Sequence, residues 1–221
     1  MKKVGAVTIG QAPRTDILCD VEAILGVEIE LIQAGALDGM TLAEVEALRP
    51  DGTGTTLVSR MLDGTAVQLE ERKLLPLLQE RITRLEREGV SAVLLMCTGE
   101  FPETFSSHVP LIYPSKVICS VVSALGNVRR IGVITPDREQ FRDIVGKWSR
   151  IVPEVFPVQW NPYLEERSET ASAALREEHV DLAVMDCFGY SEKMRQYAAS
   201  AIGRPVILSR TLAVRILREI V

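Results

Sequence analysis

The stretch LAVMDCFGYS (182–191) runs an apolar segment straight into Cys187 and then Phe188-Gly189. AVLLMCTGEF (92–101) repeats that grammar, with Cys97 closing the apolar run and Thr98-Gly99 following. Short, nearly unbroken apolar runs bounded by glycine read as strands buried on both faces, the environment of a parallel sheet covered by helices. Two buried strands thus end in a thiol, each followed two residues on by glycine.

Outward from these strands the pattern alternates. VGAVT (4–8) precedes DILCDVEAIL, VEIELIQ (27–33) precedes TLAEVEAL, and LIY (111–113) precedes SKVICSVVSAL. In the second half RIGVIT (130–135), VFPVQW (155–160), LAVMDC (182–187) and PVILS (205–209) are each followed by a stretch of helical period. Strands alternating with helices predict an α/β fold, and each half offers four parallel strands. The helix after Pro114, with Val117, Val121, Val122 and Leu125 as its apolar stripe, is expected to bridge the halves.

The halves also resemble one another. KKVGAVT (2–8) lies on RRIGVIT (129–135), and LLMCTG (94–99) lies on VMDCFG (184–189). From Thr8 to Cys97 is 89 residues and from Thr135 to Cys187 is 52, so the first half carries a surplus of about 37. TLVSRMLDGTAVQLE (56–70) accounts for part of it, because Asp63-Gly64 between two strand-like runs signals an inserted β-hairpin. The helix from Glu70 to Glu88 returns the chain, with Pro76 either kinking it or marking its first turn. The expected architecture is two pseudo-symmetric α/β domains, each a four-stranded parallel sheet flanked by helices, with a hairpin in the first. Their expected bounds are residues 1–113, completed by the C-terminal helix 210–221, and residues 114–209.

Composition excludes several function classes. A net charge of −5 and a pI near 5.3 supply no field for nucleic acid or an anionic membrane. The apolar runs are strand-length and the start is no signal peptide, so a cytoplasmic protein is expected. Four cysteines at spacings of 78, 22 and 68 residues form no zinc or disulfide pattern, and His108 and His179 stand outside any ligand cluster, so no metal is expected. Cys19 and Cys119 fall in apolar helical stretches and read as core filling. DGTGTT (51–56) lacks the Gly-Lys-Ser/Thr of a phosphate loop.

Ligand crevices in parallel sheets lie beyond the carboxyl ends of the strands, where Thr8, Cys97, Thr135 and Cys187 fall. A helix beginning just after such a loop favours an anion and lowers a thiol pKa from roughly 8.5 into about the 3.5–7.5 range. A small acid between two thiols on opposite faces of one carbon loses a proton to one sulfur and receives one from the other, with the sulfurs about 6–8 Å apart. No cofactor is then required. In TIGQAPRTD (8–16), Gly10 permits close backbone approach and Arg14 offers a fork for a carboxylate, unless this is an ordinary loop with a solvated arginine. Asp186, facing away from Cys187 on a strand, is expected to cap or pair structurally, and Tyr163 in WNPY (160–163) to reach or cover the crevice.

TIGQAPR, LLMCTG, YPSKV, GVITP, WNPY, MDCFGY and PVILS together resemble the AroM family, within the aspartate/glutamate/hydantoin racemase superfamily. The resemblance implies an Asp/Glu racemase-like fold, an interdomain cleft, a homodimer and a cofactor-independent mechanism with Cys97 and Cys187 as acid and base. Gly10, Gln11, Arg14, Thr98, Gly99, Thr135, Phe188 and Gly189 would cradle a small carboxylate. GVITP also resembles a segment of maleate isomerases and arylmalonate decarboxylases, so racemase, isomerase and decarboxylase all remain open. Racemases usually place Asn-Thr after the first cysteine and Thr with His or Glu after the second. The absence of those residues here motivates an alternative, a non-catalytic protein binding a small acid or aromatic metabolite.

Overall fold

The computed structural model describes residues 1–52, 54–101 and 105–221. Thr53, inside the DGTGTT run, lies outside the described residues. The chain forms two compact units, residues 1–114 with 213–221 and residues 115–212. The first contains β1 (Lys2–Thr8), α1 (Thr15–Leu25), β2 (Ile29–Gly35), α2 (Leu42–Glu46), β3 (Thr56–Arg60), β4 (Ala66–Glu70), α3 (Glu71–Arg87), β5 (Val93–Leu95) and β6 (Leu111–Ile112). From Pro114 onward come α4 (Pro114–Ala124), β7 (Arg130–Thr135), α5 (Phe141–Trp148), β8 (Glu154–Gln159), α6 (Glu169–Glu177), β9 (Leu182–Met185), α7 (Glu192–Ile202), β10 (Val206–Leu208) and α8 (Ser209–Ile220).

Each unit holds a four-stranded parallel sheet, ordered β2-β1-β5-β6 in the first and β8-β7-β9-β10 in the second. The two orders are the same topology traced twice. The inserted hairpin is β3 and β4, antiparallel, with Thr56 opposite Glu70 and Arg60 opposite Ala66. Its turn is five residues long, with Gly64 at φ 91° and Asp63 Oδ1 accepting the Thr65 N–H at 2.8 Å.

Alternation along the strands explains why both faces are covered. In the second unit Ile134, Ala183 and Met185 pack with Leu175 of α6 and Met194, Ala198 and Ile202 of α7. Ile131, Val133, Leu182 and Val184 point the other way, into Ile118 and Val122 of α4 and Ile144 and Trp148 of α5. In α4 the stripe is therefore centred on Ile118 and Val122, and Leu125 is 44% exposed. In the first unit α3 buries Leu74, Leu78, Ile82 and Leu85, spaced as one helical face. This helix begins at Glu71 and runs through Pro76, so the proline is interior and does not mark the first turn. Cys19 is exposed, contrary to the expectation of core filling. On α1 the buried residues are Ile17, Val21 and Leu25, and a residue two positions after Ile17 points to the opposite side.

Strand β8 forms an edge of its sheet. The Glu154 and Trp160 N–H groups donate to β7-side carbonyls, of Arg129 and Thr135, so the intervening residues 155, 157 and 159 face outward. Pro157 occupies one of the outward positions, where its missing N–H blunts the edge against strand addition.

The matched glycines of KKVGAVT and RRIGVIT have a packing reason. A Cβ on Gly5 would stand 2.9 Å from Leu85 Cδ1 of α3, and one on Gly132 would stand 2.6 and 2.7 Å from the Leu175 methyls of α6. In both units the helix leading into the thiol-bearing strand seats a leucine on the neighbouring strand at glycine. Gly132→Ala is expected to overpack this contact and lower stability by about 1–3 kcal/mol, with Leu175→Ala in the same chain recovering part of the loss. Urea midpoints of the single and double variants read this directly, and additive losses would refute the contact.

The segment leading to β6 is anchored by one carboxylate. Glu86 accepts the Ser107 hydroxyl at 2.6 Å, the His108 N–H at 2.6 Å and His108 Nδ1 at 3.2 Å. These bonds, Ser107 foremost, hold its pKa down at about 2 from the usual 4.5. A depressed folded-state pKa makes the contribution complete above pH 4.5 and drains it as pH falls toward 2. Glu86→Gln should therefore be less stable than the parent by about 1–2 kcal/mol at neutral pH. Chemical denaturation across this pH range should show the difference narrowing with acid, and a constant difference would refute the assignment. Among the described residues no helix is long and apolar enough to cross a membrane.

Candidate functional site

In the first unit the chain leaves β5 tied to its neighbour by the Met96 N–H on Val7 O at 2.7 Å, and the next residue is Cys97. The thiol is buried, and the Gly99 N–H donates to its sulfur at 3.4 Å. Leu57 of β3 lies over Gly99, 3.0 Å from where a Cβ would stand, so the hairpin packs on the thiol-bearing loop. Thr98 is half-buried.

The TIGQAPRTD loop lies in the same unit, and its polar groups are engaged within the protein. Gly10 allows β3 to press against it, since a Cβ there would stand 2.4 Å from Ser59 Oγ and 2.6 Å from Arg60 O. Gln11 donates to the Leu37 and Met40 carbonyls at 3.2 Å each and accepts the Leu62 N–H at 2.9 Å. It thereby stitches the β1 loop to the β2 loop and the hairpin. Arg14 makes the bidentate contact its chemistry suits, but with Asp16 of this chain, Nε to Oδ1 at 2.8 Å and Nη2 to Oδ2 at 2.7 Å. Gln11 and Arg14 thus both have partners within the protein. Asp38, unmarked in the sequence reading, completes the knot by accepting the Ala12 and Gly35 N–H groups at 2.8 and 2.7 Å.

The second unit builds the same arrangement. The Asp186 N–H bonds to Ile134 O at 2.9 Å, as Met96 does to Val7, and Cys187 follows. The Gly189 N–H donates to Cys187 Sγ at 3.3 Å. An amide hydrogen aimed at sulfur stabilises negative charge on it. Thr135, fully buried at the end of β7, donates its hydroxyl to Gln140 Oε1 at 2.7 Å. Pro162 and Tyr163 of WNPY pack on Gly189, where a Cβ would stand 2.7 Å from Pro162 Cγ and 2.8 Å from the Tyr163 hydroxyl.

The Cys187 loop is held at almost every residue. Ser209 Oγ donates to Met185 O at 2.8 Å and to Cys187 O at 3.2 Å. Arg210, 1% exposed, donates from Nε to Phe188 O and from Nη2 to Gly189 O, both at 2.9 Å. The Phe188 ring is itself buried. Tyr190 donates its hydroxyl to Trp160 O at 2.5 Å, and burial first, then the neighbouring thiol, pushes its pKa well above 10. Asp186 pairs structurally, accepting Lys147 Nζ at 3.1 and 2.9 Å and Trp148 Nε1 at 2.8 Å in a fully enclosed network.

The sequence reading missed Ser209, Arg210 and Lys147. A signal existed for Arg210, because an arginine inside the apolar run PVILSRTLAV must find acceptors or leave the core. Lys147 stands in the last turn of α5 like any solvated lysine, and nothing local marks it. Among the described residues no three His, Cys, Asp or Glu side chains gather as a metal site. Cys19, Cys97, Cys119 and Cys187 form no disulfide.

A search of curated proteins finds no match to this chain. Solved structures do match in fold. Allantoin racemase from Klebsiella pneumoniae superposes with a TM-score of 0.67 at 13% identity, covering 100% of this chain and 87% of the racemase. Glutamate racemase from Francisella tularensis subsp. tularensis SCHU S4, in complex with D-glutamate, gives 0.61 at 15%, covering 99% and 80%. Unliganded arylmalonate decarboxylase gives 0.58 at 15%, covering 99% and 91%. At these identities the likeness is one of fold. The AroM protein family profile matches residues 4–221, and with a repeated four-stranded parallel topology beneath it, the chain belongs to the AroM family.

Proposed function

We propose that this AroM protein is a cofactor-independent racemase, isomerase or decarboxylase acting at the carbon next to a carboxylate, with Cys97 and Cys187 as its acid and base. The observation that carries the reading is the matched setting of the two thiols. Each lies two residues beyond its strand, β5 or β9, and each sulfur accepts the N–H of the glycine two residues later. Buried cysteine as mere core filling gives no reason for the same donor to be rebuilt in both units. The fold likeness to racemases and a decarboxylase supports the same reading.

In this reaction a thiolate takes the proton from carbon, and the C–H electron pair delocalises into the carboxylate as an enediolate. The other thiol returns a proton from the opposite face. In the decarboxylase variant the electron pair comes from the C–C bond as carbon dioxide leaves, and a thiol protonates the same carbon. Amide hydrogens at the loops stabilise the developing oxyanion. Thr98, Gly99, Phe188 and Gly189 flank the thiols, Gly10 lies two residues beyond β1, and Thr135 ends β7. Gln11 and Arg14 contribute by holding the β1 loop in shape.

The test is incubation in deuterated water with a panel of small amino, hydroxy and dicarboxylic acids, followed by NMR and chiral analysis. Exchange at the α-carbon, inversion or loss of carbon dioxide is expected for at least one class of acid. Binding of a panel member that then stays chemically unchanged through long incubation would replace this reading with that of a binding protein.

A further inference from the structure

We infer that Arg210 sets the charge state of Cys187, acting through the Phe188–Gly189 peptide as a positioning residue. The inference rests on the reading of Cys187 as a reacting thiol and deepens it by naming what holds that thiol ready to accept a proton. Phe188 O accepts Arg210 Nε at 2.9 Å, and the N–H of the same peptide unit, belonging to Gly189, donates to Cys187 Sγ at 3.3 Å. The carbonyl and amide hydrogen of a trans peptide point in opposite directions, so the guanidinium stands at the negative end of one dipole and the sulfur at the positive end. Hydrogen bonds strung along one dipole reinforce each other. The cation draws electron density toward the carbonyl oxygen, leaves the amide hydrogen more positive, and so favours thiolate over thiol at the far end.

Two features make the relay rigid and unscreened. Nη2 of Arg210 also holds Gly189 O at 2.9 Å, which restrains the peptide on both sides of Gly189. The arginine is 1% exposed, so water does not weaken its field.

The other charges around the loop do not substitute for it. Asp186, one residue before the thiol, is balanced by Lys147 of α5. Tyr190 is held protonated by burial, with its hydroxyl on Trp160 O, and Tyr163 sets the hydroxyl end of its ring, a neutral group at neutral pH, against Gly189. Glu165 adds an opposing carboxylate on the Tyr190 side, but it is exposed and screened by solvent. Ser209 contributes a neutral hydroxyl to Met185 O and Cys187 O.

Cys187 is partly exposed and so open to iodoacetamide. Its alkylation, followed peptide by peptide by mass spectrometry across pH, needs no substrate and therefore reports independently of the deuterium-exchange test. In the parent protein the alkylation midpoint should lie at least about one pH unit below the roughly 8.5 of an ordinary thiol. Arg210→Met should raise it by about one unit or more, and Arg210→Lys, which keeps the charge but loses the fork, should fall between. A parent midpoint at or above that of an ordinary thiol overturns the inference. So does an unchanged midpoint in Arg210→Met with native circular dichroism. Should the methionine variant not fold, an unchanged midpoint in Arg210→Lys overturns it equally, and the parent titration decides alone if neither variant folds.

Discussion

Replacing Asp186 by alanine should lower the free energy of unfolding by about 3–5 kcal/mol. The Asp186 side chain is 0% exposed and accepts Lys147 Nζ on both carboxylate oxygens and Trp148 Nε1 on one. Its removal leaves the Lys147 ammonium, itself 4% exposed, without its carboxylate in a low-dielectric setting. Replacing both charges at once should restore much of the loss, because Asp186→Ala with Lys147→Met removes the stranded charge and gains apolar contact with Trp148. Equilibrium denaturation of the two singles and the double forms the cycle. A loss below about 1 kcal/mol in Asp186→Ala, the size of an exposed pair, would sink the account.

Cys187→Ser should reduce turnover of whatever acid is found by about 10²–10⁴-fold while leaving the fold intact. Serine fills nearly the same volume, but its hydroxyl holds its proton far more tightly than a thiol, so it neither accepts a proton at neutral pH nor returns one quickly. In a racemase Cys97→Ser should lose activity to a similar degree, because each direction of that reaction needs one group to take a proton and the other to give one, whereas a decarboxylase, which needs a single thiol, should depend on only one of the two. The double variant should be little worse than either single, since groups acting as a unit are not additive. Deuterium incorporation at the α-carbon measures all three. Parent-like incorporation in Cys187→Ser would remove the thiol from the mechanism, whatever its surroundings.

Much of the α/β architecture was legible because a strand buried on both faces has a local signature. VGAVT, AVLLM and LAVM are apolar at consecutive positions, a pattern an exposed strand does not show. The duplication was legible through glycine: Gly5 and Gly132 stand where Leu85 and Leu175 come too close for a Cβ. The hairpin announced itself through Asp63-Gly64. Expectations slipped where a residue's fate depended on which way its helix turned. Cys19 sits among apolar neighbours, yet its side of α1 faces solvent, and Leu125 lies beyond the buried face of α4.

Sequence alone therefore determined the element types, the repeated topology and the placing of Cys97 and Cys187 at strand ends, all properties carried by periodicity and by residues close together along the chain. Only the tertiary structure decided who partners whom. Arg14 turned to Asp16, Gln11 to the loops at Leu37 and Leu62, Lys147 to a carboxylate 39 positions away and Arg210 to carbonyls at positions 188 and 189. A buried polar group must be satisfied by whatever packing brings near, and for Lys147 and Arg210 that neighbour belongs to a distant part of the chain, which no local pattern encodes.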